Sequence, residues 1–184
     1  MELYDFYTGR AFDAHEYFGA HVTENGTFFR TYAPSAEKVL VIGEWNDWKG
    51  QAMRCNAQSG VYELFCFEAK PGMMYKYKIF GADGSERDHC DPYGFWMERR
   101  PGTASIITPP SAYHFSDGKW MAQRGKGFDA PINIYEVHLG SWHRKADDTW
   151  YQYEELAKPL VQYVKQNGYN YIELMPISEH PVDC

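Results

Sequence analysis

The feature that most constrains the fold is a series of short strand-like runs that fills residues 17–110. These runs are rich in β-branched and aromatic residues, and they are 27–32, 38–43, 61–68, 74–80 and 103–108. Gly, Pro, Asp and Asn concentrate between them, and Gly81-Ala82-Asp83-Gly84 is typical of a β-hairpin turn. Almost no helical periodicity interrupts the series. The pattern therefore predicts an antiparallel β-sandwich.

Aromatic residues are abundant, at 17% of the chain, with 15 Tyr, 11 Phe and 6 Trp. Such residues fill the core of a sandwich, and that is the more ordinary use of them. They also form flat apolar faces on which sugar rings stack. Composition alone leaves both uses open.

Charge and hydropathy exclude several classes of function. The chain carries 18 Lys and Arg against 25 Asp and Glu, a formal net charge of −7, whereas a nucleic-acid-binding domain is typically basic. Its longest aliphatic run, 39–42, is far shorter than a membrane span. The acidic start predicts no secretory signal, and the four cysteines lack CxxC spacing. We therefore expect a cytoplasmic protein with reduced thiols that binds neither nucleic acid nor membrane.

The pattern changes after residue 131, where strand, helix and strand follow one another. Runs 132–139 and 169–177 are predicted strands, and Thr149 with Gln152 three residues later has the form of a helix capping box. An apolar stripe follows at Tyr153, Leu156, Ala157, Leu160, Val161 and Val164, and Gly168 occupies a helix-ending position. This order predicts a βαβ unit with parallel strands and a right-handed crossover.

One βαβ unit is not a domain, because its strands lack neighbours and its helix covers one face. We therefore expect four segments. They are an N-terminal extension (1–16), a β-sandwich (17–110), a linker (111–131) and the start of a larger (β/α)-type domain (132–184).

Residues 17–105 resemble a family-48 carbohydrate-binding module, which has an immunoglobulin-like sandwich fold. The resemblance rests on GEWNDW at 43–48, MYKYKI at 74–79 and DPYGFWMERRPGTAS at 91–105. It implies a weak α-glucan-binding site. Trp48 matches the sugar-stacking position of the family, and Lys76 matches a lysine that bonds sugar hydroxyls. Trp45 is the third candidate for glycan contact, at a position that is more often an interior aromatic in the family.

The later part is similar to the start of the family-13 catalytic barrel of bacterial glycogen branching enzymes. INIYEVHLGSWHR at 132–144 and YEELAKPLVQYVKQNGYNYIELMPISEHP at 153–181 carry this resemblance. It implies a parent enzyme that cleaves α-1,4 bonds and re-forms α-1,6 branches with retention, as in glycogen biosynthesis. The catalytic Asp, Glu and second Asp of the family lie on later barrel strands. We therefore expect no catalytic residue in this chain and no activity of its own.

The chain departs from glycan-binding relatives at two positions. Ser85-Glu86 stands where a second stacking Trp follows the Asp-Gly turn, and Thr103-Ala104-Ser105 stands where a sugar-binding Asn falls. Glu136, His138 and His143, together with Glu179 and His180, do not fit a zinc spacing. The resemblance implies neither metal nor cofactor.

Three functions remain open at this stage. The first is the N-terminal part of a branching enzyme, and the second is a stand-alone α-glucan-binding protein. The third is part of a debranching or trehalose-forming amylase-family enzyme. Because strands 132–139 and 169–177 have no evident neighbours, homo-oligomers formed through unpaired strand edges are a further expectation.

Overall fold

The structure is a computed structural model that describes residues 2–56, 59–109, 114–125 and 129–178. Its five α-helices in these ranges are α1 (Leu3–Tyr7), α2 (Ala14–Tyr17), α3 (Gly118–Gln123), α4 (Leu139–Trp142) and α5 (Tyr153–Gln166). The chain divides into two compact units, residues 1–116 and 117–184.

Most of the regular secondary structure of the first unit is β-strand. Its strands are β1 (Gly19–Val22), β2 (Thr27–Tyr32), β3 (Ala36–Gly43), β4 (Gln51–Ala52), β5 (Arg54–Asn56), β6 (Val61–Cys66), β7 (Met74–Gly81), β8 (Glu86–His89), β9 (Trp96–Met97) and β10 (Ser105–Ile106). The second unit contains β11 (Ile134–Val137) and β12 (Tyr171–Leu174).

Two antiparallel sheets form the first unit, and the predicted sandwich fold is confirmed. One sheet has the strand order β1-β2-β6-β5. The other has the order β4-β3-β7-β10-β9, with β8 paired to β7 through the predicted hairpin turn. Alternation along β2 buries Thr27, Phe29 and Thr31, while Phe28 and Arg30 point away from the core.

The core between the sheets is built from alternate residues of the long strands. Phe29, Val39, Val41, Tyr75 and Tyr77 are all essentially buried in it. Helices α1 and α2, which the sequence analysis assigned to an extension, contribute a second cluster. In that cluster Phe6 and Ala14 pack with Phe18 and Val61.

The second unit contains the predicted βαβ arrangement. β11 and β12 pair in parallel, in a register that places Ile134 opposite Tyr171 and Val137 opposite Leu174. Leu160 and Val164 of α5 pack with Val137 and cover one face of the two strands. The parallel pairing is therefore confirmed, and both strands are shorter than predicted.

The predicted capping box is wrong. Thr149 donates its hydroxyl to Asp147 Oδ1 (2.6 Å) in a local turn, so it cannot begin the helix. Helix α5 starts four residues later, with Gln152 as N-cap, and the Gln152 N–H donates to Glu155 Oε2 (2.7 Å). A capping box is present, but it lies one turn further along the chain.

The end of α5 agrees with the prediction. Gly168 follows the helix with φ +76°, and its N–H donates to the Lys165 carbonyl. Within the ranges that the structure describes, no helix is long and apolar enough to cross a membrane.

Candidate functional site

The turn that follows β3 presents two tryptophans in different ways. Residues 44–46 form a single 3₁₀ turn, held by the side chain of Asn46. Asn46 Oδ1 accepts the Gly43 N–H (3.0 Å), and Asn46 Nδ2 donates to the Val41 carbonyl (3.0 Å). These two hydrogen bonds hold the turn against the end of β3.

Trp45 points into the sandwich. Its ring stacks on Phe29 (centroids 5.4 Å, interplanar angle 20°), and Nε1 donates to Gln51 Oε1 (2.9 Å). The indole N–H is thus satisfied inside the protein. A Cβ at Gly43 would meet the Trp45 ring at 2.4 Å, so the glycine makes room for the indole. This geometry makes Trp45 a support for the turn.

Trp48 lies further along the same turn, and 40% of it is exposed. It follows Asp47, and both residues have positive φ angles, 52° and 59°, which are unusual for residues other than glycine. The Trp48 N–H donates to the Gly43 carbonyl (3.0 Å) and closes the turn. Backbone strain of this kind persists only where neighbouring contacts enforce it, here the Asn46 bonds.

The Trp48 turn lies over the outer face of the six-stranded sheet. A Cβ atom added at Gly50 would lie 3.1 Å from Ile42 Cγ2. The Ile42 side chain is buried, but it is not part of the core cluster between the two sheets. Ile42 is opposite Lys76 in the β3–β7 pairing. Because antiparallel partners project to the same face, Lys76 and the Trp48 turn belong to one surface. We call this surface, defined by Trp48, Ile42 and Lys76, the Trp48 face.

Lys76 has a fixed position on the Trp48 face. Its Nζ donates to Thr103 Oγ1 (2.7 Å), which orients the ammonium group. Thr103 was named in the sequence analysis only as a departure from the family pattern. The 27-residue separation gave no sequence signal for this pairing.

A buried polar group holds β7 from the opposite side. Asp91 Oδ2 accepts the hydroxyls of Tyr75 (2.6 Å) and Tyr77 (3.0 Å), and Oδ1 accepts the Tyr93 N–H (2.8 Å). Burial raises the pKa of Asp91, although these hydrogen bonds oppose the change. Burial and the Asp91 carboxylate raise the pKa of Tyr75 and Tyr77 well above the usual value. The strand that carries Lys76 is thereby anchored in the core.

The hairpin end of the Trp48 face carries charges. Glu86, of the Ser85-Glu86 pair, lies 3.5 Å from Lys78 Nζ, and Asp88 lies 3.4 Å from the same atom. Hydrogen bonding to Asp88 raises the pKa of Lys78. This surface therefore offers one stacking indole, Trp48, and one oriented ammonium group, Lys76.

The histidines of the second unit are not gathered into a metal site. His138 Nδ1 is 2.9 Å from Ser141 Oγ, and His143 stacks on Tyr151. Across the described part of the chain, no group of three or more His, Cys, Asp or Glu side chains is placed to hold a metal ion. Glu179 and His180 lie outside the described residues.

The chain is similar to several known proteins. Residues 17–94 match the family described as carbohydrate-binding module 48 (isoamylase N-terminal domain). The whole chain is 44% identical to a 1,4-alpha-glucan branching enzyme of Fusobacterium nucleatum, of which it covers 30%. It is 41% identical to the enzyme of the same name from Lactiplantibacillus plantarum over 98% of the chain and 29% of that protein.

The chain matches the N-terminal region of 1,4-alpha-glucan branching enzymes. It spans about 30% of the length of these curated relatives. Among solved structures, a Klebsiella pneumoniae pullulanase complexed with maltotriose is similar, with a TM-score of 0.61 and 22% identity. That match covers 86% of this chain and 17% of the pullulanase, and it supports the fold alone.

Proposed function

We propose that this chain is the α-glucan-binding N-terminal part of a glycogen branching enzyme of the amylase-type family 13. The observation that carries the proposal is identity of 41% and 44%, over nearly the whole chain, with enzymes of that name. The parent cleaves an α-1,4 bond and re-forms an α-1,6 bond with retention. On this proposal the first unit binds glucan weakly and supports the barrel.

The Trp48 face is the proposed binding surface. The Trp48 indole offers an apolar plane for the C–H face of a glucose ring, and Lys76 offers a charged donor for its hydroxyls. Trp45 acts by holding the turn rather than by touching sugar. Only two groups serve the ligand, so we expect weak binding.

Calorimetric titration with maltoheptaose tests this surface. Trp48→Ala and Lys76→Met each weaken binding about fivefold, equivalent to about 1 kcal/mol for one stacking or hydrogen-bonding group. Trp120→Ala is the matched control, since Trp120 is 58% exposed in the second unit. Equal affinities for Trp48→Ala and the control would place the site elsewhere.

The chain alone is proposed to be inactive. Retaining glycoside chemistry needs two carboxyl groups about 5–5.5 Å apart across the scissile bond. In this proposal they belong to later barrel strands, in the 70% of the relatives that the chain does not match. Incubation with amylose, followed by iodine absorbance and branch-point analysis, will therefore match a heat-killed control. New α-1,6 linkages above that control would refute this part.

We also propose a cytoplasmic protein that self-associates. Cys55, Cys66 and Cys90 are free thiols, which suits a reducing compartment. Within the described residues, β11 and β12 pair only with each other, and β12 is exposed along its whole length. Unpaired strand edges promote association between copies.

A further inference from the structure

A groove on the first unit lies away from the Trp48 face. It is an open groove with a volume of about 530 Å³, within the range of ligand-binding clefts. One wall is the chain segment 32–36, and the other is β8 with the hairpin turn before it. A second hollow of about 400 Å³ shares Tyr32 and Pro34 and extends the groove toward Tyr7.

Strand register explains why this groove carries charge. Arg87 is opposite Ile79 and His89 is opposite Tyr77 in the β7–β8 pairing. Tyr77 is buried in the core and Ile79 packs against it, so Arg87 and His89 project from the inner side of the sheet. Both side chains are nevertheless exposed and line the groove. Among the described residues neither side chain has a hydrogen bond or ion pair, although the charge of Arg87 contributes to the lowered pKa of Asp83.

The two walls differ in character. Tyr32, Ala33 and Pro34 supply apolar surface, and Tyr32 is 38% exposed. The opposite wall supplies the Arg87 guanidinium and the His89 imidazole, which are planar and can bond adjacent hydroxyls. A hexose has the same division, with apolar C–H faces and a rim of hydroxyl groups.

The charge of the groove argues against an anionic ligand. Asp83 lines it together with Arg87. Hydrogen bonds from Ser85 lower the pKa of Asp83, so the carboxylate is ionised. A phosphate group would be attracted by one of these residues and repelled by the other. Neutral hydroxyl groups can bond to both.

We propose that this groove is a second α-glucan-binding site, in which Tyr32 stacks on a sugar ring and Arg87 bonds its hydroxyls. It is separate from the Trp48 face, because Arg87 and Lys76 project from opposite sides of the same sheet. The choice of α-glucan as ligand rests on the proposed function. Two sites on one module let a long glucan chain bind with higher avidity than either site gives alone.

Backbone amide spectra of the full chain, titrated with maltoheptaose, test this site. We expect saturable shifts at Ser85 and Arg87 in the wild type and in Trp48→Ala. Arg87→Ala weakens binding at the groove about tenfold, because a charged donor is lost. Arg54→Ala is the control, since Arg54 is exposed on β5 of the other sheet. We expect the Arg54→Ala variant to show the same shifts on titration as the wild type.

Four results would overturn the proposal, and the first three concern where the shifts occur. They are shifts at Trp48 with none at the groove, loss of groove shifts in Trp48→Ala, and groove shifts caused by inorganic phosphate but not by maltoheptaose. If Arg87→Ala binds like the wild type, Arg87 protects the strand edge and the site is also rejected. Groove shifts without any at Trp48 would contradict the proposed binding surface and leave the groove proposal standing.

Discussion

Asp91 accepts a group of hydrogen bonds inside the sandwich. Its carboxylate accepts hydrogen bonds from two buried tyrosines and from a backbone amide. Removing the acceptor takes the carboxylate partner from both tyrosine hydroxyls and leaves Tyr77 with only its long contact to the Arg30 carbonyl (3.5 Å). Buried polar groups without partners are costly, so this side chain contributes more than its size suggests.

Asp91→Ala lowers the free energy of unfolding by about 3 kcal/mol, because two buried hydroxyls lose their acceptor. Urea unfolding followed by tryptophan fluorescence measures this. Asp88→Ala is the control, since Asp88 forms only a surface ion pair with Lys78. Its cost is about 0.5 kcal/mol. Equal losses in the two variants would show that the Asp91 hydrogen bonds contribute little.

The difference in stability between the wild type and Asp91→Asn depends on pH, because the pKa of Asp91 is raised in the folded protein. The folded protein binds this proton more tightly than the unfolded chain. The stability of the wild type relative to Asp91→Asn is therefore greatest at acid pH, below the unfolded pKa of about 3.9. It declines as the pH rises through the folded pKa. Urea unfolding of both proteins from pH 3.5 to 7 tests this, and a relative stability that grows with pH would contradict it.

The sequence distinguished Trp48 from Trp45 through the family resemblance, not through local chemistry. Both lie in the same turn, and composition gives no reason to prefer either as exposed. The packing of Trp45 depends on Phe29, sixteen positions away on another strand. The hydrogen bond between Lys76 and Thr103 likewise joins residues that are far apart in the sequence. Contacts between distant strands leave no local pattern that a single sequence could reveal.

Among the elements, helix α5 shows what a periodic pattern can predict. Of the six stripe residues, Leu156, Leu160 and Val164 are buried, whereas Tyr153 and Val161 are exposed. The stripe predicted in the sequence is wider than the surface that β11 and β12 cover. The pattern gives the helix and its facing side, but not how much of that side has a neighbour.

Leu160→Ala destabilises the second unit by about 3 kcal/mol, because Leu160 is only 5% exposed and packs with Val137. Val161→Ala, at the adjacent and 43% exposed position, changes stability by less than about 0.5 kcal/mol. Amide hydrogen exchange of residues 134–174 measures both. Similar effects at the two positions would show that α5 does not pack as described.

Short elements were missed for a physical reason. β8 is exposed at all four positions, and α1 and α2 are only five and four residues long. None has room for a periodic pattern. Long strands such as β3 and β7 were placed to within two residues, because alternation against a buried core leaves a clear signal.

At the scale of the whole molecule, the two units should respond differently to truncation. The first unit closes its own core between two sheets, so a protein ending at residue 116 is expected to fold and remain monomeric. The 184-residue chain also carries β12, which is exposed along its length, and β11, which is partly exposed, and it is expected to self-associate. Sedimentation equilibrium at tens of micromolar distinguishes them. A monomeric complete chain would contradict the expectation of pairing through strand edges.

Glycogen affinity electrophoresis tests the central claim, that this chain binds α-glucan, most directly. The complete chain is run in native gels with increasing glycogen, and in parallel gels with hydroxyethyl cellulose, a β-linked glucan. We expect its mobility to fall as glycogen increases and to stay constant in the cellulose gels. Equal mobility in all gels would contradict the assignment of this chain as a glucan-binding part of a branching enzyme.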